Sequence, residues 1–409
     1  MLILVLLGGL LSTAASGAAP AAAATPGTCQ RGTLAQGALS LICIPASGWN
    51  GELIVFAQGY RAFNAPLDFH NLHLGEDRVY LPDVVQGLGF AFATTSYRRN
   101  GLAVLEGVED VQALLDAFRA VAPRAPLRTY LTGVSQGGLV ATLLAERSPE
   151  HFSGVLSACA PIGDFHGQLT YVGDFRVLFD YFFPQVLPGS AIEIPSQLIE
   201  QWETVYAPRV QQALAAHPRA TEQLIRTSQA AVDTADMQAS TTLTTLGLLW
   251  FSVFGTNDAR ARLGGNPYEN RSRRYSGSDD DERLNAGVQR FAASPAALQR
   301  LAAYQPSGRL IIPQVTLHTT ADPIIPFWHQ LLYAARVETS AKGSFVPIPS
   351  FRYGHCSFDS VELLAAFGLL AFQASGKEVA GAPARASAEQ ARASAEQARQ
   401  ALRGLRGKD

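Results

Sequence analysis

The sequence predicts an α/β protein: a mostly parallel sheet with helices on both faces and an inserted, mainly helical cap. Three observations carry that expectation. Short apolar, β-branched runs alternate with helical runs up to about residue 163. The alternation then stops, with no period-2 runs through the middle of the chain. It resumes at "RLIIPQVTLHTTADPIIP" (309–326). A chain of 409 residues, 47% hydrophobic, has ample apolar surface for one large core with an insertion, or for two domains. Its net charge is 32 − 34 = −2, so it lacks the basic footprint of a nucleic-acid binder, and no nucleic-acid partner is expected.

Taken in order, the first stretch is "LILVLLGGLL", an apolar run of leader length followed by small residues ending in "AAAATPGTC". This is the pattern of a secretory signal peptide, with an A-x-A choice of cleavage after Ala24. The run is too short to span a bilayer, and Pro-Gly-Thr before Cys29 is not a lipobox, so no stable membrane anchor is expected. Cys29 and Cys43 flank a short β-like segment and suit a local hairpin bridge, leaving Cys159 and Cys356 for each other. Export and an even count favour disulfides over metal, and there is no C-x-x-C. Two buried free thiols are the alternative for Cys159 and Cys356.

"ELIVFAQGY" (52–60) reads as a strand ending in a glycine turn and "GFAFATTSY" (89–97) as another. A helix from Gly107 to Val121 follows, with Val108, Val111, Leu114, Leu115 and Phe118 on one face. Then come "RTYLTGVS", its helix, and "FSGVLSACAP" (152–161). The middle segment opens on the aromatic-rich "DFRVLFDYFFPQVLPG", is mostly helical over 196–262, and has a polar, turn-forming stretch at 264–285. After 309–326 come "GSFVPIP" and a closing helix from Ser357 to Gln373. The end repeats "ARASAEQ" in tandem at 384–390 and 391–397, with heptad-spaced Ala, read as a solvated helical or frayed tail. The expected organisation is therefore a signal peptide at 1–24, the sheet domain at 25–163 and 306–373, a cap at 164–305, and a tail at 374–409. The oligomeric state is left open.

The chemistry centres on Gly133-Val134-Ser135-Gln136-Gly137, a G-x-S-x-G between a strand and a buried helix. A turn that sharp needs neighbours without a Cβ, and it leaves the serine hydroxyl exposed at the sheet edge. Such a serine needs a base, an acid to orient the base, and two N–H donors. His355, in "RYGHCSF" after the last strand, can reach back over the sheet edge as base. Asp322, at a strand end with Pro323 after it, can accept the imidazole Nδ1–H. His318 sits in an apolar strand end and reads as a packing or orienting residue, while His70 and His73 read as loop histidines without a metal cluster. The donors are expected at Gln136, directly after the nucleophile, and at Tyr60, in the turn after the first parallel strand. Should Ser135 or Asp322 fail, Ser96 or Ser157 and Asp164 are the next candidates.

Strand–GVSQGG–helix, Asp-Pro on a late strand and GHCSF before the last helix, in that order, resemble the α/β-hydrolase superfamily over roughly 55–163 and 306–373. The texture is similar to secreted, capped bacterial esterases and lipases. The resemblance implies an α/β-hydrolase fold and serine hydrolase chemistry with no cofactor. Where that family commonly has His-Gly in the oxyanion turn, this chain has Gln58-Gly59. His355-Cys356 also resembles the tannase and feruloyl esterase family, in which a Cys before the nucleophile pairs with one after the histidine. Here Val134 precedes Ser135, and Cys159 at the next strand's end stands as the substitute.

The expected activity is a secreted carboxylic ester hydrolase working through an acyl-enzyme on a small-molecule or polymeric ester. Cap aromatics (Phe175, Phe179, Tyr181, Phe182, Phe183, Trp202, Trp250, Phe251) offer apolar or aromatic acyl contacts, although most suit the cap's own small core. A peptidase on the same fold would need an acid to anchor a substrate amine, with Glu193, Glu200 and Glu203 as candidates. A non-catalytic binding protein is the third reading. Asp279, Asp280 and Asp281 are read as an acidic helix start, with calcium as the alternative.

Overall fold

The computed structural model describes residues 24–74, 79–340 and 343–376. The expected signal peptide, but for its last residue, Ala24, and the tail from 377 onward lie outside the described residues.

A hairpin of β1 (Gln30–Thr33) and β2 (Leu39–Cys43) comes first, then β3 (Glu52–Ala57). A two-stranded ribbon, β4 (His73–Leu74) and β5 (Val79–Tyr80), leads into α1 (Leu81–Gly87). Next come β6 (Ala91–Thr95), α2 (Val104–Val121), β7 (Arg128–Val134), α3 (Gln136–Arg147) and β8 (Gly154–Ala158). Helices occupy the middle: α4 (Phe165–Phe182), α5 (Ser196–Glu200), α6 (Ala207–Ala216), α7 (Pro218–Ser228), α8 (Met237–Leu263), α9 (Asp281–Gly287) and α10 (Pro295–Leu301). The chain ends with β9 (Gln314–Ala321), α11 (Trp328–Ser340), β10 (Phe345–Tyr353) and α12 (Ser360–Ser375).

Eight strands form one sheet in the order β1-β2-β6-β3-β7-β8-β9-β10. The β1/β2 and β2/β6 pairs are antiparallel and the remaining five are parallel. Both faces are covered, which is why the central strands carry almost no polar alternation. In β3, Leu53, Val55 and Ala57 join the core under α2, α3 and α11, while Ile54 and Phe56 join the core under α1 and α12. A third core belongs to the cap helices and reaches the sheet domain at Ile324 and Ile325.

Four elements differ at their ends from the sequence expectation. The strand expected over 52–60 stops at Ala57, because Gln58–Tyr60 turn out of the ladder, and that over 89–97 spans only Ala91–Thr95. The helix expected from Gly107 begins at Val104. The closing helix starts at Ser360 rather than Ser357, where Asp359 and Glu362 form a reciprocal capping box, and it ends at Gly376 in the left-handed region.

Candidate active site

Ser135 joins β7 to α3 with φ +53 and ψ −125, a backbone conformation that costs a non-glycine residue about 1–3 kcal/mol. Close packing around the turn holds it there. A Cβ at Gly133 would run into the carbonyl of Gly137, and one at Gly137 into the carbonyl oxygens of Ala57 and Gln58. Both glycines of the motif are thus required by backbone approach. The Ser135 N–H donates to the Ala158 carbonyl at 2.8 Å, tying the turn to β8. Contrary to the sequence expectation, Ser135 is not exposed: it is 8% accessible, because the cap covers the sheet edge.

The other two candidates meet it there. His355 Nε2 lies 3.0 Å from Ser135 Oγ, and His355 Nδ1 lies 2.8 Å from Asp322 Oδ2. A carboxylate can only accept from Nδ1–H, so this tautomer leaves Nε2 as acceptor for the serine proton. Asp322 is fully buried at its side chain, and its second oxygen accepts from the N–H groups of Ile324 and Ile325 at 2.9 and 3.0 Å. A buried carboxylate needs such partners to remain ionised.

The turn carrying Asp322 is held from both layers. His318, buried beneath it, donates from Nε2 to the Ile325 carbonyl at 2.8 Å and faces Gln330 Nε2 with Nδ1 at 2.9 Å. From the cap, Tyr171 Oη donates to the Pro323 carbonyl and Gln168 Nε2 to the Ile324 carbonyl, both at 2.8 Å. Gln168 is in turn held at Oε1 by His329, 2.9 Å away, whose Nδ1 accepts from the Gly163 and Asp164 N–H groups. Burial pushes the pKa of His318 and His329 down, keeping both neutral close to the acid. The sequence marks the role of His329 and Gln168 with no motif; only their burial reveals it.

The fallback candidates are otherwise engaged. Ser96 Oγ bonds to the Tyr97 carbonyl and Ser157 Oγ to that of Gly138, both fully buried. Asp164 caps α4 through the Gly167 N–H.

Gln136 opens α3 and Tyr60 follows Gly59; both line one cavity with Ser135. The turn that carries Tyr60 is braced by neighbours. Gly59 N–H donates to Asn71 Oδ1 at 3.2 Å, and His70 Nε2 lies 3.0 Å from the Gly59 carbonyl. Gln58 is buried and donates to the Ser96 carbonyl while accepting from His70 N–H. Tyr60 Oη donates to the Phe254 carbonyl on α8, linking the turn to the cap, and burial pushes its pKa upward so that it stays neutral.

The four cysteines form two disulfides, Cys29–Cys43 and Cys159–Cys356, with Cα separations of 4.1 and 5.3 Å. Cys159, His355 and Cys356 form the one grouping with metal-ligand spacing among the described residues, and its two sulfurs are bonded to each other. Asp279 is paired with Arg219 and Arg226, Asp280 caps α9, and Asp281 accepts from Ser278; all three serve an acidic helix start.

Two apolar cavities meet at Ser135. The first, about 120 Å³, lies under the cap, between Gln136, Phe165, Val172, Tyr268 and Ile324. The second, about 370 Å³, runs between the sheet and helices α1 and α12, past His355 to Phe56, Val85 and Phe367. Phe251 and Tyr60 border both. Of the cap aromatics, Phe175, Phe179, Phe183 and Trp202 are buried in the cap's own core, whereas Phe251 faces the site. Glu193, Glu200 and Glu203 are exposed, and no carboxylate lines either cavity among the described residues.

The strand order, the parallel run and the serine turn at its centre make this the α/β-hydrolase fold, with a mainly helical insertion between β8 and β9. No family model matches the sequence, and no curated protein matches it. Solved structures of similar fold include feruloyl esterase B from Aspergillus oryzae, at 13% identity and TM-score 0.45, covering 80% of this chain and 74% of that one. The acylaminoacyl peptidase of Pyrococcus horikoshii aligns at 11% identity and TM-score 0.40 over 81% of this chain, which spans 38% of the peptidase. The mouse α/β-hydrolase domain-containing protein 10 aligns at 15% identity and TM-score 0.39, covering 80% and 91% of the two chains. Among the described residues no helix is long and apolar enough to cross a membrane.

Proposed function

We propose that this chain is an exported serine hydrolase that cleaves carboxylic esters through an acyl-enzyme. The observation that carries the reading is the hydrogen-bonded line from Ser135 Oγ through His355 to Asp322, at 3.0 and 2.8 Å. Ser135 Oγ attacks the ester carbonyl carbon as His355 Nε2 takes its proton. The negative charge that develops on the carbonyl oxygen is met by the N–H groups of Gln136 and Tyr60. The acyl–oxygen bond breaks, and the leaving alcohol takes the proton from His355. Water then attacks the acyl-enzyme, gives a proton to His355, and releases the acid as that proton returns to Ser135.

Apolar cavities without a carboxylate support an ester over a peptide with a free amino terminus, because a cationic amine needs a counter-charge when desolvated. A non-catalytic role leaves the alignment of three groups, one on a backbone held at positive φ, without a use. Two disulfides and a leader-like N-terminus support export.

The test measures purified protein against p-nitrophenyl esters of increasing acyl length beside aminoacyl-p-nitroanilides. Ester turnover abolished by Ser135→Ala is expected. Hydrolysis of the anilides alone would replace this reading with a peptidase.

A further inference from the structure

The two cavities differ in which catalytic groups they contain, and that difference assigns the two halves of the substrate. The cavity under the cap borders Gln136 and Ser135 but not His355. The cavity between the sheet and α1/α12 borders Ser135, His355 and Cys356 but not Gln136. In ester cleavage the departing oxygen must lie within hydrogen-bond reach of the base that protonates it, whereas the carbonyl oxygen lies against the N–H groups of Gln136 and Tyr60, of which Tyr60 borders both cavities and Gln136 only the one under the cap. The alcohol half therefore belongs on the His355 side and the acyl half on the Gln136 side.

Resting on the ester-hydrolase reading, we propose that the cavity between the sheet and α1/α12 is an alcohol-binding site, and that the preferred substrates are short-acyl esters of long or bulky apolar alcohols. The volumes set the asymmetry. An apolar cavity of about 150 Å³ holds one benzene. The acyl side, at about 120 Å³, suits an acetyl to butyryl group. The alcohol side, at about 370 Å³, is roughly three times larger and takes a ten-carbon chain. Its walls are aliphatic and aromatic: Phe56 and Leu156 from the sheet, Val85 and Leu88 from α1, Leu364 and Phe367 from α12. No carboxylate, lysine or arginine lies among the lining groups, whose imidazoles are those of His355 and His73, so recognition of the chain is by burial of methylenes. Each methylene so buried is worth about a fourfold gain in binding.

The direct test compares decyl acetate with ethyl decanoate on the full chain. The two are isomers of equal carbon count, so they differ only in which side of the ester bears the chain. The expected result is a kcat/KM for decyl acetate about tenfold or more above that for ethyl decanoate. Equal rates, or a preference for ethyl decanoate, would overturn the assignment while leaving the serine hydrolase intact. Absence of any Ser135-dependent hydrolysis of either isomer would overturn the ester reading itself, and this inference with it. As a second measurement, Leu364→Trp fills the alcohol cavity from a partly exposed position on α12. It should lower the ratio of decyl acetate to ethyl acetate kcat/KM by about tenfold; an unchanged ratio counts against the site. Because the isomer comparison needs no variant, a misfolded Leu364→Trp protein leaves the proposal fully testable.

Discussion

Cys356 carries its sulfur to within 3.5 Å of His355 Nε2, and the bond from that sulfur to Cys159 pins the His355 loop to the end of β8. The bridge closes a sequence separation of 197 residues that includes every cap helix. Chain entropy alone would make such a link worth about 5 kcal/mol, an upper figure. Reduction, at a temperature where circular dichroism reports a folded protein, should lower kcat more than it raises KM, because the imidazole loses its anchor. Non-reducing peptide mapping checks the premise: active enzyme in which both cysteines alkylate without reductant would rule out this role.

Asp322→Asn should lower kcat by about 10⁴ with little change in KM. The amide can still accept from the Ile324 and Ile325 N–H groups, so folding should survive. What changes is the imidazole: an amide facing Nδ1 as a donor favours the tautomer that puts the proton on Nε2. Ser135→Ala should reach the same floor, and the double variant should fall no further. The measurement is p-nitrophenyl acetate turnover for the three proteins; additive losses would show that Ser135 and Asp322 do not act as a unit.

His70 gives a pH dependence with a definite sign. Burial pushes its pKa down from 6.5 to about 4, offset in part by the Gly59 carbonyl that it faces; Arg61 also lowers it and Asp68 raises it. The unfolded chain binds this proton more readily than the folded one, so stability is full above pH 6.5 and is lost as pH falls toward 4. The loss attributable to this group is about 3 kcal/mol at most. Urea unfolding of the native protein and of His70→Gln at pH 7 and pH 4.5 isolates it. The variant should show the smaller acid loss, and equal losses would remove His70 from the account.

Gly137→Ala and Gly87→Ala form a matched pair. A methyl at Gly137 meets the backbone oxygens of Ala57 and Gln58, which cannot retreat without breaking the β3–β7 ladder. The expected cost is about 3 kcal/mol, with lost turnover. At Gly87, in α1, a Cβ meets nothing within 4 Å, so alanine should be neutral or stabilising by about 0.5 kcal/mol. Differential scanning calorimetry of the two distinguishes packing from propensity.

The alternation of runs and the order Ser135, Asp322, His355 are local patterns, and they suffice for the fold class and for naming which residues face one sheet edge. Period-2 apolar runs state where strands lie, and the two glycines of the serine turn announce a backbone with no room for a Cβ. Even the start of α12 is legible in retrospect, since Asp359, two residues after Ser357, and Glu362 spell a capping box that opens the helix at Ser360.

Tertiary structure alone decides how far Ser135 is from water, because the cap that covers it is built from segments with no sequence relation to the GVSQGG turn. It also decides that His318 and His329, similar letters in apolar stretches, both end as neutral braces of the Asp322 turn; that depends on carbonyls and amides brought from up to 166 residues away. The larger cavity lies where α1 and α12, from opposite ends of the chain, leave the sheet face unfilled. A residue's own chemistry and its neighbours' spacing act locally, and the sequence displays them. Burial, hydrogen-bond partners and empty volume are properties of surfaces that meet only after the chain has folded.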